Sequence, residues 1–154
     1  MAHDSDFEAC LAEPFGQALE MVETALNAEG FEVVTRFDVQ RTMKDRLNVN
    51  FRPYMILGAV NQRIAGRILE NDPCVSLMMP CNISVEVNPD EQTVVRVADP
   101  AQLINCRCNE NPEIVDIAED ASSRLIRIID TLRRTSRPLD PAGKPWKRLA
   151  EAHD

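Results

Sequence analysis

Five cysteines are the side chains of this sequence whose type and spacing suggest chemistry. Cys106 and Cys108 flank Arg107, and a neighbouring cation favours the thiolate, so a redox or soft-metal role is one interpretation of this pair. Structural zinc ligands usually come in pairs with two-residue spacing, which the chain lacks, so two incidental loop thiols are the other interpretation. Cys10 and Cys74 lie beside predicted strands, and we expect them to be small core side chains.

The segment Pro80-Cys81-Asn82 carries the fifth cysteine and lies between two predicted strands. A proline at this place breaks the strand, so that a thiol and an amide can point out of the sheet. The alternative is a tight strand connection with a buried thiol. The residue types leave both interpretations open.

Other catalytic patterns are missing from the sequence. The two histidines, His3 and His153, lie close to the ends, where chains usually fray, so neither is expected to be a catalytic base or a zinc ligand. The five glycines do not have the spacing of a phosphate-binding loop. The sequence therefore favours a protein that binds over one that catalyses, and it indicates no particular cofactor.

The composition is that of a soluble globular domain. The chain has 154 residues, of which 44% are hydrophobic and 27% are charged, as is typical of a chain that buries a core. With 25 acidic and 17 basic residues the formal net charge is -8, which argues against nucleic acid or an anionic membrane as the main partner. We expect a small-molecule ligand or a protein partner instead.

The start of the sequence and the cysteine count indicate a compartment. Residues 1–10 contain neither a basic region nor the apolar run that a secretory signal needs. The longest apolar stretches fall far short of the roughly 20 residues that cross a bilayer. An odd number of cysteines fits a reducing compartment better than a disulfide framework. We therefore expect a cytoplasmic protein with free thiols and no membrane contact.

Hydrophobic periodicity and capping residues predict five helical segments and five strands. Asp38, Asn61 and Asn111 stand where an N-terminal helix cap belongs. The predicted helical segments are Glu13 to Ala28, Asp38 to Leu47, Asn61 to about Asn71, Pro100 to Ile104 and Pro112 to about Thr135. The predicted strands are Phe31 to Phe37, Tyr54 to Val60, Val75 to Met79, Ile83 to Val87 and Thr93 to Val97, the last two forming a hairpin.

Strands mixed with helices that do not alternate strictly predict an α+β fold, with a mainly antiparallel sheet and helices packed on one face. We expect one domain over residues 7–135 and a C-terminal tail over residues 136–154, in which Trp146 is one of few apolar anchors. The last helix has more apolar face than one sheet needs, so we expect a homodimer. Its isoleucines are Ile114, Ile117, Ile126, Ile128 and Ile129.

Two strings of the sequence resemble the signature of a known family. They are Phe51-Arg52-Pro53-Tyr54-Met55-Ile56-Leu57-Gly58-Ala59, followed by Asn61, and Leu77-Met78-Met79-Pro80-Cys81-Asn82. Together they are similar to the bacterial and archaeal domain-of-unknown-function family 302, over about residues 7 to 134. The resemblance implies a TATA-box-binding-protein-like α+β arrangement in small proteins that tend to be homodimeric, and it implies no reaction. The family usually shows Cys-Asn-Pro where this chain has Val60-Asn61-Gln62, so one of two family thiols is missing.

We expect any functional site to centre on the ends of the strands that carry these strings. The candidate ligand-binding residues are Arg52, Tyr54, Gly58, Asn61, Cys81 and Asn82. If the Pro80 break lies where Asn61 caps its helix, the helix amides and dipole would favour a Cys81 thiolate or a bound anion. Two functions stay open: a homodimeric ligand- or partner-binding module, and a thiol-dependent redox, sulfur-handling or soft-metal-binding protein that uses Cys81 or the pair Cys106 and Cys108.

Overall fold

A five-stranded antiparallel sheet is the centre of the computed structural model, which describes residues 4–105 and 111–139. In chain order the strands are β1 (Glu8–Leu11), β2 (Phe31–Asp38), β3 (Tyr54–Asn61), β4 (Cys81–Val87) and β5 (Thr93–Val97). They lie side by side in the order β1-β5-β4-β3-β2, and every pair of neighbours is antiparallel. The predicted hairpin of the last two strands is therefore confirmed.

Five α-helices of the described ranges accompany the sheet: α1 (Phe15–Ala28), α2 (Val39–Leu47), α3 (Gln62–Asn71), α4 (Pro100–Asn105) and α5 (Pro112–Thr135). Short 3-10 helices, Asp4–Phe7 and Pro73–Met78, precede β1 and β4. The side chains of Asp38, Asn61 and Asn111 accept hydrogen bonds from backbone N–H groups in the first turns of α2, α3 and α5. These three predicted caps and the α+β fold class are confirmed.

Alternation along the strands gives the sheet two different faces. One face, the helix-covered face, holds the core: Leu57, Ala59, Ile83, Val85 and Val95 are buried in one cluster with apolar side chains of α1, α3 and α5. The other face, called the open face, leaves several of its side chains exposed, among them Phe37, Asn82 and Arg96. Side chains of the open face include Glu8, Cys10, Glu32, Thr35, Phe37, Tyr54, Ile56, Gly58, Asn82, Ser84, Glu86 and Arg96.

The strand predicted over Val75 to Met79 is wrong, because this segment forms the 3-10 helix Pro73–Met78. Asp72 starts it: the Asp72 Oδ1 atom accepts a hydrogen bond of 2.9 Å from the backbone N–H of Cys74. A short apolar run by itself is compatible with a strand or with a helical turn. Here the Asp72 cap favours the helical turn. Strand β1 was not predicted; its four residues are too few to show a strand pattern, and pairing with β5 holds them in place.

The expectation that Cys10 and Cys74 are core side chains is also wrong, because both are exposed. Ala9 and Leu11 of β1 point into the core, so the residue between them points to the open face. Cys74 lies in the first turn of the 3-10 helix, away from the core.

The isoleucine-rich face of α5 is used inside the monomer. Ile114, Ile117, Ile128 and Ile129 are buried, and Ile126 packs against the core cluster. The argument that this face is left over for a second subunit therefore fails. The homodimer itself stays a prediction and needs another surface.

The end of α5 is tied to the start of α1 through the buried carboxylate of Glu13. Its Oε2 atom accepts a hydrogen bond of 2.7 Å from the Ser136 hydroxyl, and its Oε1 atom accepts one of 2.7 Å from the backbone N–H of Arg137. Trp146 of the predicted tail lies outside the described residues. In the described part of the chain, no helix has both the length and the apolar character needed to cross a membrane.

Candidate functional site

The strand register brings the two family-like strings together at one end of the sheet. Gly58 on β3 lies opposite Asn82 on β4, and Ala59 lies opposite Cys81. Because Cys81 and Asn82 are neighbours in a strand, their side chains lie on opposite faces, and the six candidate residues do not form one site. Asn61 and Cys81 lie on the helix-covered side, and Arg52, Tyr54, Gly58 and Asn82 lie on the open side.

An apolar cavity of about 40 Å³ lies behind Cys81, between the sheet and helices α3, α4 and α5. Its lining residues are Phe31, Ala59, Val60, Asn61, Ile64, Ala65, Ile68, Met78, Met79, Cys81, Ala98, Pro100, Leu103, Ile104, Ile117, Ala118 and Ala121. This lining contains no charged side chain from residues 4–105 or 111–139. One water-sized position needs about 10–15 Å³, so the cavity holds a molecule of roughly three non-hydrogen atoms.

Asn61 joins two turns of the chain through both polar atoms of its side chain. Its Oδ1 atom accepts hydrogen bonds from the backbone N–H groups of Arg63 at 3.1 Å and Ile64 at 3.2 Å. Its Nδ2 atom donates to the carbonyl of Glu29 at 3.1 Å, beside Gly30, which has a φ of +81°. The amides of Arg63 and Ile64 in the first turn of α3 are thus already capped, so these two are not free to stabilise a thiolate or an anion.

The thiol of Cys81 lies in apolar surroundings at the wall of the cavity. Burial raises its pKa to about 11, so the protonated thiol dominates at neutral pH. The expectation that the helix start favours a Cys81 thiolate is therefore wrong. The environment of Cys81 matches the alternative interpretation, a buried thiol in a tight strand connection.

Glu86 connects two arginines across the open face. Its Oε2 atom accepts a hydrogen bond from Arg52 Nε at 2.9 Å, and its Oε1 atom accepts one from Arg96 Nη1 at 2.7 Å. Arg96 Nε also donates to Glu8 at 2.8 Å, so the ion-pair network reaches the edge strand β1. Burial by itself raises the pKa of the Glu86 carboxyl, but the hydrogen bonds from Arg96 and Arg52 outweigh it and hold that pKa below its usual value.

Arg52 and Tyr54, expected as flanking contacts, lie together on this face. The Arg52 guanidinium carbon is 4.6 Å from the centre of the Phe51 ring and 5.4 Å from that of Tyr54, within the range of cation–π attraction. The same guanidinium is bound to Glu86, so its charge is already matched. This cluster therefore suits contact with a neutral surface better than capture of an anion.

Gly58 is where the two strings touch. A Cβ atom at this position would lie 2.1 Å from Thr35 Oγ1 and 2.6 Å from Pro80 Cγ. Both distances are far below van der Waals contact, so only glycine fits between these neighbours. Close packing of Gly58 against Pro80 thus explains why the first string has a glycine where it meets the second string.

Four residues that complete the open face and the cavity are not among the candidates predicted from the sequence. Glu86 and Arg96 carry opposite charges on neighbouring strands, which was an available signal for cross-strand pairing. Ala118 and Ala121 are small residues three apart on α5, a spacing that leaves room on one helix face, and both line the cavity.

Cys106 and Cys108 lie outside the described residues, so their redox or soft-metal role stays a prediction. Among the residues that the structure does describe, no three His, Cys, Asp or Glu side chains are grouped so that they could hold a metal ion.

Fold and geometry define an antiparallel α+β protein with one open sheet face and an apolar cavity under the other. The family described as "Domain of unknown function DUF302" matches residues 8–132. The chain therefore belongs to the DUF302 family, as the resemblance predicted. It is similar to a solved structure, "Crystal structure of uncharacterized conserved protein DUF302 from Bacillus stearothermophilus", with a TM-score of 0.75 and 25% identity, covering 82% of this chain and 97% of that one. Comparison with curated proteins gave no match.

Proposed function

We propose that the chain is a homodimeric, non-catalytic binding module that takes a small uncharged molecule into the cavity behind Cys81. The observation that supports this most is the lining, which among the described residues is apolar apart from the Asn61 amide and the protonated Cys81 thiol. A charged ligand would lose its hydration there and would meet no opposite charge. The cavity volume limits the ligand to a few non-hydrogen atoms unless the walls move.

Binding is favoured over catalysis because the described lining of the cavity offers no group suited to proton transfer. An efficient general acid or base has a pKa near the working pH. The thiol of Cys81, with a pKa of about 11, is far from that range. Asn61 does not titrate, and both its polar atoms are engaged in the fold.

Xenon binding followed by NMR tests the cavity, since xenon is a small apolar probe. With methyl-labelled methionine, the signals of Met78 and Met79 should shift and saturate as xenon is added, because both residues line the cavity. Met43 on α2 lies outside the lining and should not respond. A wild-type protein whose Met78 and Met79 signals do not saturate contradicts the proposed ligand site.

Variants that fill the cavity give the matched control. Ala118→Leu, or the smaller change Ala121→Val, places carbon atoms in the cavity and should abolish the xenon response. Ser123→Leu adds a similar side chain on the exposed side of the same helix and should leave the response unchanged. Far-UV circular dichroism checks that each variant is folded, since overpacking a core costs about 1–3 kcal/mol.

A second candidate function uses the three sulfur-containing side chains of the same cavity, Met78, Met79 and Cys81. Thiolate and thioether ligands select soft cations such as Cu(I). Binding forms a copper–sulfur bond and releases the thiol proton, so the bound pair is neutral and suits apolar walls. Since the pKa of Cys81 is about 11, the apparent affinity should fall about tenfold for each unit by which the pH is lowered.

Anaerobic competition with a Cu(I) chelator separates this candidate from the first. The protein carries Cys106→Ser and Cys108→Ser as background, so that the cavity thiol is measured apart from that pair. Cys81→Ser should abolish binding, and Met79→Leu should weaken it while xenon uptake continues. Copper affinity that does not depend on pH, or that survives Cys81→Ser, excludes the soft-metal function. Restoring Cys106 and Cys108 then tests the predicted role of that pair.

A further inference from the structure

We infer that the connection between β2 and β3 is a docking surface for a short acidic segment of another protein, with apolar side chains between its carboxylates. This connection, called the arm, consists of α2 and the three residues after it and spans residues 39–50. The inference goes beyond the proposed function, because the structure describes every residue of the arm and none of them lines the cavity.

Local hydrogen bonds fix the exposed end of the arm. α2 buries none of its residues, and the seven successive residues 44–50 are all exposed. Asn48, which has a φ of 51°, donates its backbone N–H to the carbonyl of Lys44 at 3.1 Å. The backbone N–H of Val49 donates to the carbonyl of Met43 at 3.2 Å. These bonds close the end of the helix, so this surface is formed before a partner arrives and loses little conformational freedom on binding.

Exposed apolar side chains are concentrated at and around the arm. Leu47 is 64% exposed and Val49 is 43% exposed. Of the seven exposed large hydrophobic side chains in residues 4–105 and 111–139, four lie within residues 34–49. Single apolar side chains are common on protein surfaces, whereas a concentration of them is typical of a contact surface. A partner that covers Leu47 and Val49 removes them from water, which favours binding.

The arm reverses the charge of the chain. Arg41, Lys44 and Arg46 against Asp45 give it a net charge of +2, so the other residues sum to -10 within the total of -8. Arg41 lies 3.6 Å from Asp45, but both side chains are exposed, and such a pair contributes little. Lys44 Nζ donates to the neutral amide of Asn50 at 3.2 Å, and Arg46 forms no ion pair with any residue that the structure describes. Lys44 and Arg46 are therefore available to the carboxylates of a partner.

The other run of basic residues, in the C-terminal half of α5, differs because most of its charges are matched. Four of its five arginines form ion pairs: Arg124 and Arg127 with Glu29, Arg133 with Asp130, and Arg137 with Glu13. An acidic partner would have to compete there with carboxylates of the same chain. At the arm, Lys44 and Arg46 give up no ion pair when a partner binds.

A short segment fits the arm better than an extended anionic surface. A bilayer or a nucleic acid presents its charges over an area wider than the arm, so it also faces the net charge of -10 on the rest of the chain. The nine residues of α2 are about 13 Å long, a distance that about four extended residues span. A partner segment of this size covers the arm alone, with carboxylates at Lys44 and Arg46 and apolar side chains at Leu47 and Val49.

Selection from a yeast-displayed library of random peptides of about 12 residues, three times the span of α2, tests the arm on the full chain. The informative peptides bind the wild type and are lost on the double variant Lys44→Glu with Arg46→Glu. These peptides should combine aspartate or glutamate with large apolar side chains. If no such peptides are found, or if the arm-dependent peptides carry no net negative charge, the inference is wrong.

Fluorescence anisotropy of one selected peptide then measures the contributions of charge and apolar contact. The double charge variant should raise the Kd at least about tenfold, and Leu47→Ser should raise it at least about threefold. Salt raised from about 0.05 to 0.2 M should weaken binding severalfold by screening. Binding that is insensitive to salt, or that survives both variants, rejects the arm as an acidic-segment site.

The matched control changes the same residue types on another exposed helix. Arg63→Glu with Leu69→Ser alters an exposed cation and an exposed apolar side chain of α3 and should leave the Kd unchanged. An equal loss of affinity in this control would show that only the overall charge matters and would contradict the inference. All altered side chains are exposed, and far-UV circular dichroism checks that each variant is folded.

Two other occupants of the arm have their own measurements. If vesicles of phosphatidylcholine and phosphatidylglycerol float the wild type but not the Lys44→Glu, Arg46→Glu variant, the arm is a membrane contact instead. If sedimentation equilibrium shows that the wild type associates and this variant does not, the occupant is a second copy instead. Either result overturns the acidic segment. Xenon uptake should be the same in the wild type and the arm variants, so the cavity is tested separately.

Discussion

Replacing Gly58 by alanine tests the packing of the two family-like strings directly. The new methyl group would lie 2.1 Å from Thr35 Oγ1 and 2.6 Å from Pro80 Cγ. Neighbours that close must move, and Pro80 cannot swing away as a flexible side chain would. We expect overpacking to cost about 1–3 kcal/mol. Alanine recovers about 0.4–1 kcal/mol by restricting the unfolded chain, so the net loss should be roughly 1–2 kcal/mol.

Gly66 provides the matched control. It lies in the middle of α3, and an added Cβ atom meets nothing within 4 Å. The same substitution, Gly66→Ala, should therefore stabilise the protein by about 0.5–1 kcal/mol, since glycine is unfavourable inside a helix. The two substitutions are chemically identical and should change the free energy of unfolding in opposite directions.

Urea unfolding followed by far-UV circular dichroism measures both changes, with the denaturant slope checked for equality between variants. The double variant Gly58→Ala with Thr35→Ala removes the Oγ1 contact but keeps Pro80, so it should recover part of the loss. If Gly58→Ala is neutral, or stabilises the protein as Gly66→Ala does, the packing explanation for the strings is wrong.

Three further predictions concern the other candidate residues. Cys81 should react with iodoacetamide at least about tenfold more slowly than the exposed Cys74 at pH 8, because burial raises its pKa to about 11; equal rates, measured by mass spectrometry, would contradict the cavity environment. Asn61→Ala should destabilise the fold by about 2–3 kcal/mol in urea unfolding, because it removes a helix cap and the donor to Glu29, whereas Asn61→Asp keeps the cap and should lose less. Glu86→Gln should cost about 1–3 kcal/mol at neutral pH, less than a fully buried pair because the arginines are partly exposed. The folded pKa of Glu86 lies below the unfolded value of about 4.3, so its stabilisation is present above that value and is lost as the pH falls through the folded pKa; a difference from Glu86→Gln that does not shrink in acid would refute this account.

The sequence predicted those elements whose signals are local. Asp38, Asn61 and Asn111 each accept from backbone N–H groups just after them, so the residue type and the start of a helical pattern locate the helix without any tertiary information. The segment Val75 to Met79 failed for the converse reason, since its apolar run satisfies a strand or a helical turn equally. Strand β1 depends on its partner β5, which a local pattern does not contain.

The candidate site was less predictable because it depends on which strands meet. The sequence placed Gly58, Cys81 and Asn82 near one sheet end, and the register of β3 and β4 does bring them together. Their division between two faces follows from alternation alone, because Cys81 and Asn82 are adjacent in one strand. The pairing of Glu86 with Arg96 could have been read from the predicted hairpin, but the contact with Arg52 could not, since it requires the segment before β3 to lie beside β4.

Val60 bears on the choice between the two candidate functions. The resembling family usually shows a cysteine where this chain has Val60, which pairs with Glu32 and therefore points its side chain to the open face, away from the Cys81 thiol. A thiol pair that cycles through a disulfide needs two cysteines, and the remaining sulfur-containing side chains of the cavity, Met78 and Met79, are thioethers that cannot form one. Disulfide chemistry at this cavity is thus the least favoured form of the thiol-dependent function. The two candidate ligands that remain are a small uncharged molecule and a soft cation that displaces the thiol proton of Cys81.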